Sequence, residues 1–371
     1  MDLETRYRES HRKTYQAKRD WLANAMEKEA IEFLSRTHIR IPEEVYEREI
    51  LPYWERYGLR PKKLWFDLYC ERDGRIDPRM TPDDLYYLDI LPYLNNLQFP
   101  GATDKCYYDR VLQKVRQIKP LVRRIAGEFY DGEMNLITEQ EALGICMDSS
   151  ENLFIKPSVY TCYGHGITRV GKEEKSEDQL KDIFELTGNN FVVQEEIRQH
   201  AVLSGLCPGV VNTIRVMSLF IEGKVTITTT ILRIGAPGRD RISDHPDNKY
   251  AEILPDGKLC HRYHDLNLKW YECEETGLYA RDFVIPSLDK VYDMVKKAHP
   301  QLSHYKVIGW DFTVDEEGEP VMIEFNLRPS ICFQFTTRKP LLGEMTEWVY
   351  DDLFIHRTLE KNQRQGLIVQ I

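Results

Sequence analysis

The chain has no run of about eighteen consecutive apolar residues, so the sequence predicts no membrane-spanning helix. It has no C-x-x-C pair, and its eight cysteines are scattered singly, as is typical of free thiols in a reducing compartment. It has no excess of positive charge, and a formal net charge of −10 argues against a nucleic-acid surface. Met1–Gln16 is too polar for a secretory signal peptide, so we expect a cytoplasmic protein.

The composition is that of a globular protein, with 42% hydrophobic and 30% charged residues over 371 positions, enough for two or more lobes. Helical and strand patterns occur without strict βαβ alternation, which predicts the α+β class. Residues 1–98 are predicted to be a helical N-terminal region, because residues 4–36 carry helical periodicity without glycine or proline and short helices follow. We expect no internal repeat.

Further helices are predicted over about residues 104–118, from Thr138, and over residues 288–298 with Ser287 as the N-cap. Thr138 followed three residues later by Glu141 is a capping-box arrangement. These helices are separated by segments with strand patterns, which supports a mixed fold.

The predicted strands include Leu153–Ile155, which ends at Lys156-Pro157 before the polar loop Ser158–Gly166. Residues 191–197 (FVVQEEI) are predicted to be the end of another strand. Residues 211–234 predict a β-hairpin that turns at Glu222-Gly223.

The most informative stretch is Tyr305–Ser330, which predicts two antiparallel strands joined by the turn Asp315–Gly318. With this turn, Val314 would face Glu319 and Asp311 would face Met322. Because side chains alternate along a strand, two sets would then separate onto opposite faces. The polar face would hold Asp311, Thr313, Met322, Glu324 and Asn326, and the apolar face Trp310, Phe312, Val314, Val321, Ile323 and Phe325.

Two carboxylates and an amide oxygen in a small area repel one another unless a cation lies between them. Oxygen ligands of this kind suit Mg²⁺, with Mn²⁺ as an alternative. A solvated strand face is the ordinary explanation for such acids. Glu324 and Asn326, however, alternate with apolar residues and are followed by Arg328, which favours a metal site.

The order of motifs resembles that of the ATP-grasp superfamily over roughly residues 100–330. The shared elements are FIKP at 154–157 with its loop, QEEI at 194–197, NTIR at 212–215 and the strand pair of Tyr305–Ser330, called the acidic ribbon below. More narrowly, the chain resembles the sugar-transfer-associated ATP-grasp group through ILPYLNN at 90–96, TDK at 103–105, TIRV at 213–216, IGWD at 308–311 and IEFN at 323–326. A loop with two glycines and bulky aromatics departs from the glycine-richer loops of relatives.

This resemblance implies an ATP-grasp fold in which two α+β lobes clasp ATP behind a helical N-terminal extension. Residues 99–195 would be the N-terminal lobe with the phosphate loop, and residues 196–371 the C-terminal lobe with the metal site. The implied ATP-binding residues are Lys105, Lys156, Ser158, Gly164, Gly166, Gln194, Glu195, Glu196 and Ile197. The implied magnesium ligands are Asp311, Glu324 and Asn326, and the implied catalytic residues are Arg215 at the transferred phosphoryl group and Arg328 at the acceptor.

The activity implied by the resemblance is that of an ATP-dependent carboxylate–amine ligase with an acyl-phosphate intermediate. Its partners would be ATP and a small-molecule acceptor, either a small metabolite or a sugar-linked acid. Two alternatives stay open at this point: a phosphotransferase acting on a hydroxyl group, and a non-catalytic nucleotide-binding protein.

Overall fold

The computed structural model describes residues 3–95, 100–159, 166–239, 245–280 and 282–356. It divides into two units: Met1–Phe99 with His304–Val307 and Arg328–Ile371, and Pro100–Ser303 with Ile308–Leu327. The α+β class and the helical N-terminal segment are confirmed. The predicted boundaries at residues 98 and 195 stay predictions. Within the described ranges, no helix is both long enough and apolar enough to cross a membrane.

The first unit is helical, with a core rich in aromatic side chains. The buried Trp54 ring lies 5.0 Å from that of Tyr350, and its Nε1 donates to Pro78 O at 3.0 Å. The polar end of the indole is therefore satisfied while its rings pack. The helices are Leu3–Leu34, Glu43–Val45, Leu51–Glu55, Lys63–Tyr69, Asp83–Leu85, Leu91–Leu94, Cys332–Thr337 and Thr346–Tyr350, with π-helical segments Tyr46–Ile50, Tyr86–Ile90 and Asp351–His356 and the 3₁₀ turn Gly343–Met345.

Two segments of this unit share both sequence and conformation, so the expectation of no internal repeat is wrong. Residues 42–53 (PEEVYEREILPY) and 82–93 (PDDLYYLDILPY) each form a helix with a π-helical turn before the second proline. The wider turn closes with Leu51 N donating to Tyr46 O and Leu91 N donating to Tyr86 O. Because proline donates no hydrogen bond and crowds the preceding turn, this widening lets each helix continue.

A buried glutamine fixes two loops of the first unit. Gln334 Oε1 accepts from Thr81 N at 2.8 Å and from Leu341 N at 3.2 Å, and its Nε2 donates to Thr81 O at 2.9 Å. Buried backbone groups of this kind need such partners.

We expect Gln334→Ala to lower the free energy of unfolding by about 3 kcal/mol, because it leaves three buried backbone groups without partners. Urea denaturation of the whole chain measures the loss. The matched control is Gln301→Ala, an exposed bond to Lys297 O whose removal should leave the midpoint within error. Equal midpoints for both variants would contradict the assignment.

The second unit holds two antiparallel sheets. Their strands are β1 Pro120–Ile125, β2 Glu128–Asp131, β3 Leu136–Ile137, β4 Leu153–Pro157, β5 Thr168–Val170, β6 Phe191–Glu195, β7 Thr213–Ile221, β8 Lys224–Ile234, β9 Lys249–Ile253, β10 Leu259–Asp265, β11 Trp270–Glu272, β12 Val307–Val314 and β13 Pro320–Asn326. The smaller sheet has the order β3-β2-β1-β6-β4-β5 and the larger β11-β10-β9-β8-β7-β12-β13.

The helices and 3₁₀ turns of this unit lie between the strands. They are Pro100–Thr103, Lys105–Tyr107, Tyr108–Val111, Glu139–Asp148, Glu177–Thr187, Ala201–Ser204, Cys273–Thr276, Leu288–Ala298 and His299–Leu302. One face of the smaller sheet packs against Glu139–Asp148 and Glu177–Thr187 through a core that includes Leu143, Ile155 and Phe184. The other face of this sheet is therefore left for polar side chains.

Several local predictions are confirmed here, and two are wrong. The capping box of Thr138 and Glu141 and the hairpin turn at Glu222-Gly223 are both present. The predicted helix over 104–118 is only a 3₁₀ turn and one helical turn ending at Val111, because the segment goes on to join β1. Ser287 has a φ of 51° and donates its hydroxyl to Gly318 O at 2.7 Å, so it does not cap the following helix.

Candidate active site

The smaller sheet carries a polar face built from β4, β5 and β6. Phe154 lies directly opposite Arg169 on one side and Gln194 on the other, and directly opposed residues share a face of the sheet. Lys156 lies two residues after Phe154 and therefore has the same orientation. Its Nζ donates to Gln194 Oε1 at 3.0 Å. Two predicted ATP-binding residues thus meet on this face.

The predicted phosphate lysines belong to one electrostatic cluster. Lys105 begins a 3₁₀ turn that Asp104 caps, and its backbone N donates to Ser158 O at 3.1 Å, immediately after β4. Burial lowers the pKa of Lys156 to about 8; the charge of Lys105 lowers it too, whereas Glu324 acts in the opposite direction. Lys105, Lys156 and Glu324 therefore lie within electrostatic range of one another.

The acidic ribbon is the hairpin of β12 and β13, and its register differs from the prediction. Asp311 lies opposite Glu324, not Met322, and Val314 lies opposite Pro320, not Glu319. The turn is one residue longer than predicted, with Asp315 N donating to Glu319 O at 2.9 Å.

A β-bulge accounts for the remainder of this correction. Asp311 pairs with Glu324 and the next residue, Phe312, pairs with Met322, so Ile323 is an extra residue on β13. Met322 therefore joins the face of Phe312 rather than the acidic face. The prediction that Asp311 and Glu324 share a face is confirmed. Asn326 lies opposite Gly309 and two residues from Glu324, on the acidic side.

The two carboxyl groups have opposite pKa shifts. Burial raises the pKa of Asp311, but the charge and hydrogen bonds of Arg215, with the charge of Arg233, hold it below its ordinary value. Arg215 Nε and Nη2 donate to Asp311 Oδ1 and Oδ2 at 2.6 and 2.5 Å. Burial and the negative charge of Asp311 both raise the pKa of Glu324. Glu324 is therefore the acid of this pair that takes up a proton more readily.

The acidic side of the ribbon has the chemistry of a magnesium site. The carboxyl groups of the buried Asp311 and the half-buried Glu324 repel each other when both are ionised, and a divalent cation relieves that repulsion. Asn326 adds an amide oxygen, so all three donors are oxygen atoms. The described part of the chain contains no cluster of three or more His, Cys, Asp or Glu residues suited to a metal. The set proposed here differs from such a cluster because it has two acids, Asp311 and Glu324, and one amide, Asn326.

Gln194 to Ile197, the predicted ATP-binding residues at the end of β6 and here called the hinge, are held by contacts to neighbouring segments. Gln194 Nε2 donates to Ile118 O at 2.7 Å. Glu195 Oε1 accepts from Ser149 Oγ at 2.8 Å, and Glu196 accepts from Arg169 Nε and Nη2, both at 3.2 Å. The backbone after β6 is bonded as well, because Glu196 N donates to Asn152 O at 2.8 Å and Arg198 O accepts from Glu316 N at 3.1 Å.

The predicted phosphate loop is described only at its ends. Ser158 is buried and its backbone N donates to Asn190 O at 3.0 Å. Gly166 has a φ of 75°, and a Cβ there would lie 2.9 Å from Pro157 Cγ, so glycine is required at this position. Gly164 lies outside the described residues.

Arg328 is exposed and belongs to the first unit, following the end of β13. Its predicted role at the acceptor stays a prediction.

A cavity of about 610 Å³ opens beside the hinge. It is lined by Arg169 and Glu196 of the smaller sheet's polar face and by Gly209, Gly238 and Arg239 from the segments flanking β7 and β8. Its size lies within the range of ligand sites in proteins. The two lysines and the acidic ribbon are not among its lining residues.

Comparison with known families decides the relationship. The family model described as sugar-transfer associated ATP-grasp matches residues 95–348, more than two thirds of the chain. The chain belongs to the sugar-transfer associated ATP-grasp family. Its fold is the ATP-grasp fold, preceded by a helical segment. No curated protein matches it in sequence.

Solved structures that resemble this ATP-grasp protein are distant. D-alanyl-alanine synthetase A from Vibrio cholerae is 11% identical, with a TM-score of 0.42 over 70% of this chain and 66% of its own. The ATP-grasp ligase PsnB is 10% identical, with a TM-score of 0.42 over 69% of this chain and 62% of its own. The VanG D-Ala:D-Ser ligase from Enterococcus faecalis is 15% identical, with a TM-score of 0.42 over 68% of this chain and 62% of its own. The chain therefore spans less than two thirds of the length of each.

The sequence analysis did not identify Thr213 and Arg233 of the larger sheet as candidate site residues. Both are buried, and they lie directly opposite each other on β7 and β8. The signal was present, because Arg233 interrupts the apolar run ILRI in the same way that Arg215 interrupts TIRV.

Proposed function

We propose that this ATP-grasp protein is an ATP-dependent ligase that joins a carboxylic acid to an amine. One observation carries the proposal: two lysines at the smaller sheet and a pair of carboxyl groups on the larger sheet lie in one cluster within one unit. Phosphates need such cations, and a phosphate-bridging metal needs such oxygens.

In this proposal each charged side chain has a distinct task. Lys105 and Lys156 bind the phosphates of ATP as compact positive charges. Asp311, Glu324 and Asn326 hold magnesium, which when bound offsets negative charge on the phosphates. Arg215 keeps Asp311 ionised and oriented through two hydrogen bonds.

The chemistry needs no nucleophile from the protein. A carboxylate oxygen of the acid attacks the γ-phosphorus of ATP, and the bond to ADP breaks. The amine nitrogen then attacks the carbonyl carbon of the acyl phosphate, loses its proton and expels phosphate. Catalysis then consists mainly of orienting the substrates and of stabilising the charge on the phosphoryl group during its transfer.

Product analysis with paired substrates tests the proposal. Purified protein, ATP and magnesium are screened against carboxylic acids and amines, and ADP, phosphate and product masses are measured. We expect ADP and free phosphate with an amide product only when both substrates are present. A stable phosphorylated product from one hydroxyl substrate would replace the ligase with a phosphotransferase, and nucleotide binding without turnover would replace it with a binding protein.

The pKa of Lys156 predicts a pH dependence of nucleotide binding. Phosphates favour the charged amine, which in the free protein is protonated below a pKa of about 8. Affinity for ADP should be flat at lower pH and fall above it by up to about tenfold per pH unit, because binding must then take up a proton.

Calorimetric titration across this range, with the metal concentration held constant, measures the effect. Lys156→Met should bind more weakly and lose the alkaline limb, whereas the exposed control Lys172→Met should keep it. An unchanged alkaline limb in Lys156→Met would assign the proton to another group.

A further inference from the structure

One face of the larger sheet carries a continuous row of polar and aromatic side chains. Arg233 on β8 lies directly opposite Thr213 on β7 and Tyr250 on β9, and His264 on β10 lies opposite Tyr250. Directly opposed residues share a face. Arg215, two residues from Thr213, lies on that face as well, and it contacts Asp311. The row therefore extends from the acidic ribbon across the sheet.

Arg233 is a buried arginine whose side chain is incompletely paired among the described residues. Its side chain belongs to a residue only 7% exposed, and its Nε has no hydrogen-bond partner among the described residues. Its guanidinium carbon lies over the Tyr250 ring, 5.9 Å from the ring centroid. Arg233 forms no ion pair with the described residues, although its positive charge lowers the pKa of Asp311.

Two other arginines of this unit, the buried Arg123 and the largely buried Arg215, have carboxylate partners. Arg215 is held by Asp311 through two hydrogen bonds. Arg123 donates to Asp131 O, to Gly132 O and, at 2.6 Å, to Asp109 Oδ2. Arginine stays protonated in proteins, and burying its charge without an anion is strongly unfavourable. Arg233 therefore calls for an anionic partner beyond those that the described residues provide.

Thr213 adds a second donor at the same place. It is also only 7% exposed, its hydroxyl Oγ1 has no partner among the described residues, and it lies directly opposite Arg233. A guanidinium fork beside a hydroxyl group is a donor set for two oxygens of a carboxylate or a phosphoryl group. Two hydrogen-bond donors without partners, Arg233 Nε and the Thr213 hydroxyl, lie on adjacent strands. One shared acceptor explains both better than two separate losses of a hydrogen bond do.

We propose that Arg233 and Thr213 bind an oxyanion of a substrate, next to the Arg215–Asp311 pair. The oxyanion is either the carboxylate of the acid or the γ-phosphoryl group of ATP, and only this choice of sources rests on the proposed ligase function. Arg233 would then fix the distance between the reacting acid and the nucleotide. A site that holds one oxyanion in this position selects acceptors with a carboxylate or phosphate group.

Anion binding to the ligand-free protein tests the site without turnover. Thermal unfolding is measured against increasing acetate or inorganic phosphate, with chloride at equal ionic strength as the reference. Wild type should show a saturable rise of about 2 °C or more in Tm, which Arg233→Met and Thr213→Val should lose. Arg233→Met should also be no less stable than wild type without anion, because an unpaired buried charge has been removed.

Matched controls are Thr226→Val at the far end of β8 and the exposed Arg110→Met, which should keep the anion effect. A saturable rise that persists in both site variants, or none in wild type, would overturn the proposal. If Arg233→Met does not fold, Arg233→Gln and Thr213→Val are the site variants used for this test. This result stands whether or not the protein proves to be a ligase.

Nucleotide titration then identifies the source of the oxyanion. If Arg233 binds the γ-phosphoryl group, Arg233→Met should bind a non-hydrolysable ATP analogue about tenfold to a hundredfold more weakly and bind ADP as wild type does. If it binds the acid, both nucleotide affinities should be retained and the KM for the acid should rise by a similar factor. Either result supports the oxyanion site.

Discussion

Replacing Glu324 by alanine is expected to abolish ATP turnover, a loss of at least about a thousandfold in kcat/KM. Glu324 supplies one of two carboxyl groups at the acidic ribbon, and its charge supports the protonated form of Lys156. The variant should remain folded, because removing the half-buried carboxyl group beside Asp311 relieves repulsion. Coupled-assay measurement of ADP formation and a thermal melt of the same sample separate activity from folding.

The control for this variant lies on the same hairpin. Glu319 is exposed, and its carboxylate accepts a hydrogen bond from Lys290 at 2.6 Å. Surface pairs of this kind contribute little, so Glu319→Ala should keep wild-type turnover and a closely similar melt. Full activity in Glu324→Ala would mean that the metal site has been placed at the wrong residues.

The second large effect is expected at Lys156. Lys156→Ala should lower kcat/KM for ATP by about a hundredfold to a thousandfold, because a cation that faces the transferred phosphates is lost. The partly desolvated amine is worth more to an anionic ligand than a surface amine, since the low local dielectric strengthens its attraction. Steady-state kinetics with varied ATP measure the change.

Two further variants sharpen the interpretation. Lys172→Ala removes an exposed lysine in the segment after β5 and should leave both kcat and KM unchanged. Lys156→Arg keeps the charge but lengthens and flattens the head group, so it should recover only part of the activity. If Lys156→Ala matched wild type, the nucleotide would have to bind away from β4.

Local patterns in the sequence predict much of this fold. The capping box at Thr138 and the hairpin at Glu222-Gly223 each depend on residues within a few positions of one another, and both are present. The strands around Asp311 and Glu324 follow from their alternating apolar residues. That these two acids share one face also follows from side-chain alternation, but that they lie directly opposite each other does not.

The remainder depends on interactions that a local pattern does not contain. Alternation along β13 gives no sign of a bulge, so the predicted register was wrong at Met322. Ser287 has the composition of an N-cap, but a bond to Gly318 O outcompetes that role. The convergence of Lys156 on Glu324 joins strands far apart in sequence, and only the family resemblance anticipated it.

The bulge at Ile323 decides which way Glu324 points. Pro320 and Met322 lie opposite Val314 and Phe312 on the apolar face, and unbroken alternation would place Glu324 on that face too. The extra residue shifts the alternation by one, so Glu324 lies opposite Asp311 instead. A change that straightened β13 without removing a residue would rotate one half of the strand and turn an acid toward the core.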